Sequence, residues 1–558
     1  MTAVIIMLLF CVGMLALLAF LPVLLNEEDN AGEAIYVIAE ADNGASGNLK
    51  IFPCHDDVSG KIYFFLPGAK DASKYYLYLN GTRSVQIGGE TYASGSELPS
   101  DMIMDIGSEG NRDGINIEYE NKEKESFSEE AYFLCGGEVD TISLSLGEDA
   151  IDKVDEDPIH SVSAVADYAV YDTCNHKEAA GKLKIAGHGN STWTELMEEF
   201  PGQEFKRSYN ISFNEQKKSI LGMKPAGSFV LLSNFYDESE IKNYIAMEAA
   251  RELGMEEVPD CEYANLYING HYRGLYLVAQ KIKEGNGFLD ISSDGYLAKF
   301  DYEERVKANG NLWFETEGLF AKLMYPTDID GERLDAIRED VRKTEGSIGK
   351  GYDKFCENAD ADSFAAYYMM QEFFENGDAD RASQYIYKRK GTDKLVAGPV
   401  WDFDLSMGHP WFSYEGEETS ALWLSGIVDE SGWLRKLSDD DKFMEKTCDY
   451  YKESFSKVVD EVTRDILPET AGRIENSWYM DMLRYENGPV YFDKFDYEGR
   501  GFDKYDQNAI VGEISKWLTD RKDFWDGYAA NPGKYEAEIS EPGADTRSIR
   551  RLVVMKKR

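Results

Sequence analysis

Asn376-Gly377-Asp378, then SQYIYKRK (383–390), a turn at Gly391 to Asp393, KLVAGPV (394–400) and Trp401-Asp402-Phe403-Asp404 form the run that decides how this chain is read. Two apolar-rich arms of similar length around a short Gly-containing turn predict a β-hairpin, so residues before the first arm and after the second meet at one end. Asp378 and Asp402 are therefore expected to be neighbours despite their separation in sequence. Upstream, Phe364, Tyr367, Met370, Gln371 and Phe374 follow helical spacing behind a cap at Asp362, and Asn376-Gly377 stops that helix. The order is helix, aspartate, hairpin, aspartate.

Working outward, the alternating SYNISF (208–213) puts Tyr209, Ile211 and Phe213 on one face of a strand. LKIAG (183–187), FVLLSN (229–234), YANLYI (263–268) and YRGLYLVAQ (272–280) read as further strands, the last two joined through the hairpin signal Asn269-Gly270. Between them, Ser239 is a candidate N-cap for a helix running to Leu253, with Gly254 as its stop. Helical periodicity takes over from about residue 315 and again over about 440–530. The fold class expected is α+β. One catalytic-size domain spans residues 162–535, preceded by a small β-sandwich-like module (32–148) and an acidic linker (149–161), and followed by a polar, then basic tail (536–558).

Thr2–Leu25 carries no charge and is long enough to cross a bilayer core, which predicts a transmembrane anchor at residues 1–25 with an extracytoplasmic body. No small-residue cleavage site comes after it, which favours a retained anchor. The 558 residues carry a formal charge of -44, which argues against nucleic acid and for basic polypeptides as partners. Ser548, within the basic tail TRSIRRLVVMKKR, is a candidate self-acceptor. Seven cysteines show no CxxC pair or other ligand-like spacing, which argues against zinc. Cys54 with Cys135 is a candidate disulfide, with buried free thiols as the other reading.

Helix, aspartate, hairpin, aspartate-Phe is the logic of a protein-kinase centre, in which the first carboxylate orients the acceptor hydroxyl and the second holds magnesium. Asp402 fits a hard-oxygen metal site, Asp404 could join it, and Gln384 or Ser383 could add a neutral oxygen. WDFDLSMG (401–408), AGHGNSTW (186–193), FKRSYNISF (205–213), VLLSNFYDESEIKNYIAMEAARELG (230–254), LYINGHYRGLYLVAQKI (266–282) and WLTDRKDFW (517–525) closely resemble the CotH (spore coat protein H) family of atypical protein kinases. The resemblance covers roughly residues 165–530. It implies a diverged two-lobe kinase fold that uses ATP and Mg²⁺ or Mn²⁺ to phosphorylate serines or threonines of secreted, surface or coat proteins.

By position, the resemblance makes Asp378 the catalytic base and Asp402 the metal ligand. Gly187, Gly189, Asn190 and Ser191 fall in the phosphate-covering loop, where glycine lets backbone N–H groups approach phosphate. Lys206, with Arg207 as alternative, is the candidate cation for the nucleotide phosphates, and Glu248 its candidate partner. Two positions depart from the family pattern: Gln280, which by position is also a candidate ATP-binding residue, and Lys299 stand where carboxylates are usual. If those carboxylates fix the nucleotide or its metal, this chain is a surface-binding protein with a kinase-like fold. His188 and His409 sit beside motif residues and read as structural. No HExxH, GxSxG or GxxxxGK[ST] motif occurs.

Overall fold

The computed structural model describes residues 34–532, apart from 42–48, 57, 82–83, 106–112, 121–123, 215, 290, 292–293, 309, 311, 380, 390–391, 409–418, 427–431 and 487–496. The expected anchor, Ser548 and His409 therefore lie outside the described residues. Among the described residues no helix is long and apolar enough to cross a membrane.

Two sheets occupy the N-terminal third. One has the order Leu49–Ile51, Ile35–Ala41, Ser73–Leu79, Ser96–Glu97. The other runs Cys54–Asp56, Lys61–Leu66, Ser126–Cys135, Ile115–Glu120, Ser84–Ile87, Glu90–Ala93. Alternating apolar residues of both sheets, among them Val37, Leu77, Phe64, Ile117 and Phe133, close one core, and Tyr267, Tyr272 and Met480 from later in the chain join it. Tyr267 donates its hydroxyl to Phe65 O at 2.9 Å, and Ser477 Oγ donates to Gly136 O at 2.7 Å, so the second sheet is fastened to the C-terminal two-thirds of the chain. The Cys54–Cys135 disulfide does not form. The register explains it: Cys54 faces Tyr63, Tyr63 faces Tyr132, and Cys135 lies opposite Leu66, two strands across and three residues along. That is well beyond disulfide reach.

The strand Thr141–Ser145, expected to close the first module, instead opens a seven-stranded closed barrel. It pairs in parallel with Cys261–Ile268 and antiparallel with Ser163–Tyr171. The barrel continues through Lys177–His188, Ser208–Ser212, Ser228–Leu232 and His271–Gln280. Tyr209, Ile211 and Phe213 point into its core as the alternation predicts. The acidic linker is a correction. Glu148–Asp155 is a helix, and Ile151 and Val154, three apart on one face, are buried in the barrel core while Asp149, Asp152 and Lys153 face out and Asp155 accepts from Tyr209 OH at 2.8 Å.

The helix Lys242–Glu252 packs on the barrel, and Gly254 ends it at φ +70°. Its start is capped by Asp237 rather than Ser239: Lys242 N donates to Asp237 Oδ2 at 2.8 Å, and Ser239 Oγ donates to Asp237 Oδ1. Beyond the barrel, helical periodicity overstated the helix content. Leu297–Asp301, Trp313–Glu315 and Phe320–Tyr325 join the hairpin Gln384–Lys388 and Leu395–Ala397 in a five-stranded antiparallel sheet. Ala361–Phe373 is the helix ahead of Asp378, capped two residues earlier than expected by Asp360. Leu467–Arg484 and Gln507–Ala530 complete the helical side.

Candidate active site

The hairpin register, with Ile386 opposite Ala397 and Lys388 opposite Leu395, brings the flanks of its two arms together. Asp378 and Asp402 consequently line one cleft, between the barrel and the five-stranded sheet. Asp378 is placed from behind. The buried Arg521 donates to Phe373 O and Glu372 O at 3.2 and 2.9 Å and pairs with Glu372 Oε1 at 2.7 Å, closing the helix end just upstream. Asn376 Oδ1 then accepts from Asp378 N at 3.1 Å.

Asp402 adopts φ +67°, a conformation that costs a non-glycine residue of order 1 kcal/mol and persists only where the surroundings hold it. Asn376 Nδ2 donates to Asp402 O at 3.1 Å, Phe403 N donates to Asn243 Oδ1 at 2.6 Å, and Ser383 Oγ donates to Asp402 Oδ2 at 2.6 Å. Asp404 sits on the same wall, 8% exposed. Burial, then the charges of Asp402 and Asp378, hold the Asp404 carboxyl well above the usual carboxylate range. Burial and then Asp402 push Asp378 up to about 7, with Arg305 and Lys299 pulling the other way. The hard-oxygen set and its mutual repulsion fit a divalent cation of the magnesium type.

The facing wall is the loop at the end of strand Lys177–His188. Gly189 takes φ +95°, and Gly189, Asn190 and Ser191 line the cleft. Trp193, fully buried, anchors the loop by donating Nε1–H to Asp157 O at 3.0 Å, and Tyr236 OH donates to Ser191 O at 3.0 Å. Gly187 lies behind the cleft wall. A Cβ there would come within 2.5 Å of His160 and 2.9 Å of Trp193, so packing explains its lack of a side chain. His188 is kept neutral by burial and by Lys281 and Lys299.

Five expected residues lie elsewhere. Lys206 points away from the cleft, its Nζ 2.6 Å from Glu240 Oε1 and 2.9 Å from Asp481 Oδ1, at 3% side-chain exposure. Glu248 pairs with Arg251 rather than with a lysine, and Arg207 stacks on Phe205 and Trp193. Gln280 accepts from Asp260 N at 3.0 Å and donates to Lys224 O at 3.1 Å. A glutamate could not make the second bond, so the departure at 280 is structural in this chain. Gln384 sits opposite Phe300 with its amide nitrogen buried and unpartnered, and Ser383 is the neutral oxygen beside Asp402.

Of the cleft cations, motif reading took Lys299 only for a departure from the family pattern and passed over Arg305. Lys299 Nζ lies 2.8 Å from Asp301 Oδ2; burial works against its charge, but Tyr385, Asp301 and Asp402 outweigh burial and hold it charged. Arg305 reaches across from the sheet side to Glu195 of the opposite loop at 2.7 Å. The alternation Lys299-x-Asp301 on one strand face was the available signal.

A loop with glycine facing a carboxylate set and two fixed cations is the arrangement of a phosphoryl-transfer cleft of kinase type. The model of the CotH kinase protein family matches residues 185–524, more than half of the chain. The chain belongs to that family, and its mixed helix and strand fold is the kinase-like CotH fold. Among solved structures, the crystal structure of a Helicobacter pylori proinflammatory kinase, CtkA, is similar at 7% identity. The match covers 58% of this chain and 94% of that one, with a TM-score of 0.24, too low to support an argument. No curated protein matches.

Proposed function

We propose that this chain transfers the γ-phosphate of ATP to serine or threonine hydroxyls of a protein substrate. The observation that carries the reading is the convergence in one cleft of Asp378, the Ser383-bonded Asp402 and the glycine-bearing 189–192 loop. Gly189 and the backbone beyond it receive the phosphates, and Lys299 and Arg305 offset their charge. Asp378, with a carboxyl poised near neutral pH, orients the acceptor hydroxyl and takes its proton. Asp402 and Asp404 are the residues suited to hold Mg²⁺ or Mn²⁺, which when bound would supply charge neutralisation to the phosphates. The charge of -44 favours a serine flanked by basic residues. Thr2–Leu25 would anchor the chain with its body extracytoplasmic, facing secreted, surface or coat proteins.

The test is incubation with labelled ATP, Mg²⁺ or Mn²⁺ and paired basic and acidic serine peptides at low and high salt. Transfer favouring the basic peptide at low salt is expected. Nucleotide-dependent thermal stabilisation without transfer to any substrate would instead favour a kinase-like binding protein.

A further inference from the structure

The turn between strands Ser163–Tyr171 and Lys177–His188 reads Asp172-Thr173-Cys174-Asn175-His176. It is closed by its own backbone: Asp172 N donates to His176 O at 3.0 Å, and Asn175 N to Asp172 O at 2.9 Å. Asp172 Oδ1 accepts from Cys174 N at 2.9 Å and His176 N at 2.8 Å, which leaves Oδ2 to face His176 Nδ1 at 3.0 Å. The Cys174 thiol is free of any disulfide, and the closing bonds of the turn do not use it. Yet one ligand atom from each of Asp172, Cys174 and His176 lies within 4.8 Å of the other two. Among the described residues no other three Asp, Glu, His or Cys side chains gather so closely.

The turn is also held rigid from outside. Ala69 N donates to Thr173 O at 2.8 Å, and Asn175 Nδ2 donates to Ser73 Oγ at 2.8 Å and Pro67 O at 3.2 Å. Asn175 itself is fully buried, with Oδ1 unpartnered. These contacts come from the segment between strands Lys61–Leu66 and Ser73–Leu79, so the turn lies on the seam between the N-terminal sheets and the barrel. Asp172 and His176 keep 31% and 37% side-chain exposure, which leaves the three ligands reachable from solvent.

We propose that Asp172, Cys174 and His176 bind a divalent transition-metal ion of the zinc class. Thiolate, imidazole and carboxylate together suit zinc rather than magnesium or calcium, and three protein ligands leave a fourth position to water. Tetrahedral bonds of about 2.0–2.3 Å place ligand atoms roughly 3.3–3.6 Å apart, a spacing that small side-chain rotations on the fixed turn would reach. Coordination releases the thiol proton to solvent and requires the imidazole in its neutral form, so binding weakens on acidification. The D-x-C-x-H spacing lies outside the CxxC and HxxxH patterns, which is why the sequence argued against zinc. The bound ion stiffens the seam, and its role is independent of phosphoryl transfer.

The experiment uses the full chain, reduced and metal-free, with Zn²⁺ followed by calorimetry and Co²⁺ as the spectroscopic probe. One site is expected, with thiolate-to-cobalt charge-transfer absorption that Zn²⁺ abolishes and excess Mg²⁺ does not. Cys174→Ser should remove the band while leaving circular dichroism unchanged, and His176→Ala should weaken binding by at least about tenfold. Asp402→Asn should keep the band, which separates this site from the cleft. Absence of the band in the parent chain, or its persistence in Cys174→Ser, overturns the proposal.

Discussion

Two charged clusters of this molecule share an excess of carboxylates and differ in how far they are sealed from solvent. Around Lys206, one buried ammonium is held between Glu240 and Asp481, with Asp481 Oδ1 also accepting from Leu275 N at 2.8 Å. Burial alone would depress the Lys206 ammonium, but the two carboxylates outweigh it and keep it charged. This cluster ties the loop before strand Ser208–Ser212 to helix Leu467–Arg484. In the cleft, carboxylates outnumber cations. Asp378, Asp402, Asp404 and Asp301 face Lys299 and Arg305, and two of the carboxyls are pushed upward as a result. In the first cluster the carboxylates also outnumber the cation, and burial and then Asp481 hold the Glu240 carboxyl well above its usual range, but its side chains are sealed from solvent and fasten the fold. The second is complete only with something added, which is the electrostatic mark of a site.

The largest effect that would break this contrast is in the cleft. Asp378→Asn should lower transfer by roughly 10²–10⁴-fold while nucleotide-dependent stabilisation survives, because a base acts on the acceptor. Asp402→Asn should instead remove metal-dependent nucleotide binding, read by the same thermal-shift measurement. Equal transfer by parent and both variants would refute the assignment.

Lys206→Met should show the reverse pattern. Leaving Glu240 and Asp481 buried without their cation should cost about 3–5 kcal/mol in denaturant unfolding. At a temperature where the variant is folded, its nucleotide affinity should be unchanged. A selective loss of nucleotide binding with full stability would return Lys206 to the site.

The third prediction turns on pH. The folded-state carboxyl of Asp378 titrates at about 7 instead of the usual 3.8, so folding favours its protonated form. Its contribution is present below the unfolded pKa and is lost as pH rises through 7. Asp378→Asn should therefore stabilise the metal-free chain by roughly 4 kcal/mol at pH 8 and by less than about 1 kcal/mol at pH 4, measured by unfolding at both. Saturating Mg²⁺ should shrink the gap.

The smallest effect tests the bridge across the cleft. Glu195 is 58% exposed in its pair with Arg305, so Glu195→Gln should change stability by less than about 1 kcal/mol. A loss of several kcal/mol would mean that the bridge holds the lobes together.

Much of this was legible along the chain wherever one interaction dominates locally. The Asn269-Gly270 turn, the inward face of Tyr209, Ile211 and Phe213, the Gly254 stop and the 384–397 hairpin all follow from turn chemistry and two-residue periodicity. The hairpin alone sufficed to bring Asp378 to Asp402. Reading failed where direction depended on distant packing. Lys206 stands just before a strand, where motif order put a nucleotide-binding lysine, but Asp481, far along the chain, claims its ammonium. Glu148–Asp155 looked too charged to bury, yet two apolar residues on one helical face found the barrel.

What the sequence by itself determined is the order of motifs, the family resemblance they carry and the pairing of the two key aspartates, because each is encoded within a few turns or across a single hairpin. Only the tertiary structure decided which cations serve the cleft, why Gln280 is a structural amide and that Thr141–Ser145 belongs to the barrel. It also decided that Asp172, Cys174 and His176 converge on a turn pinned from another sheet. Those facts depend on where a side chain ends relative to elements up to hundreds of residues away. No local periodicity carries that information; the closing of the barrel and the packing of helix Leu467–Arg484 against it supply it.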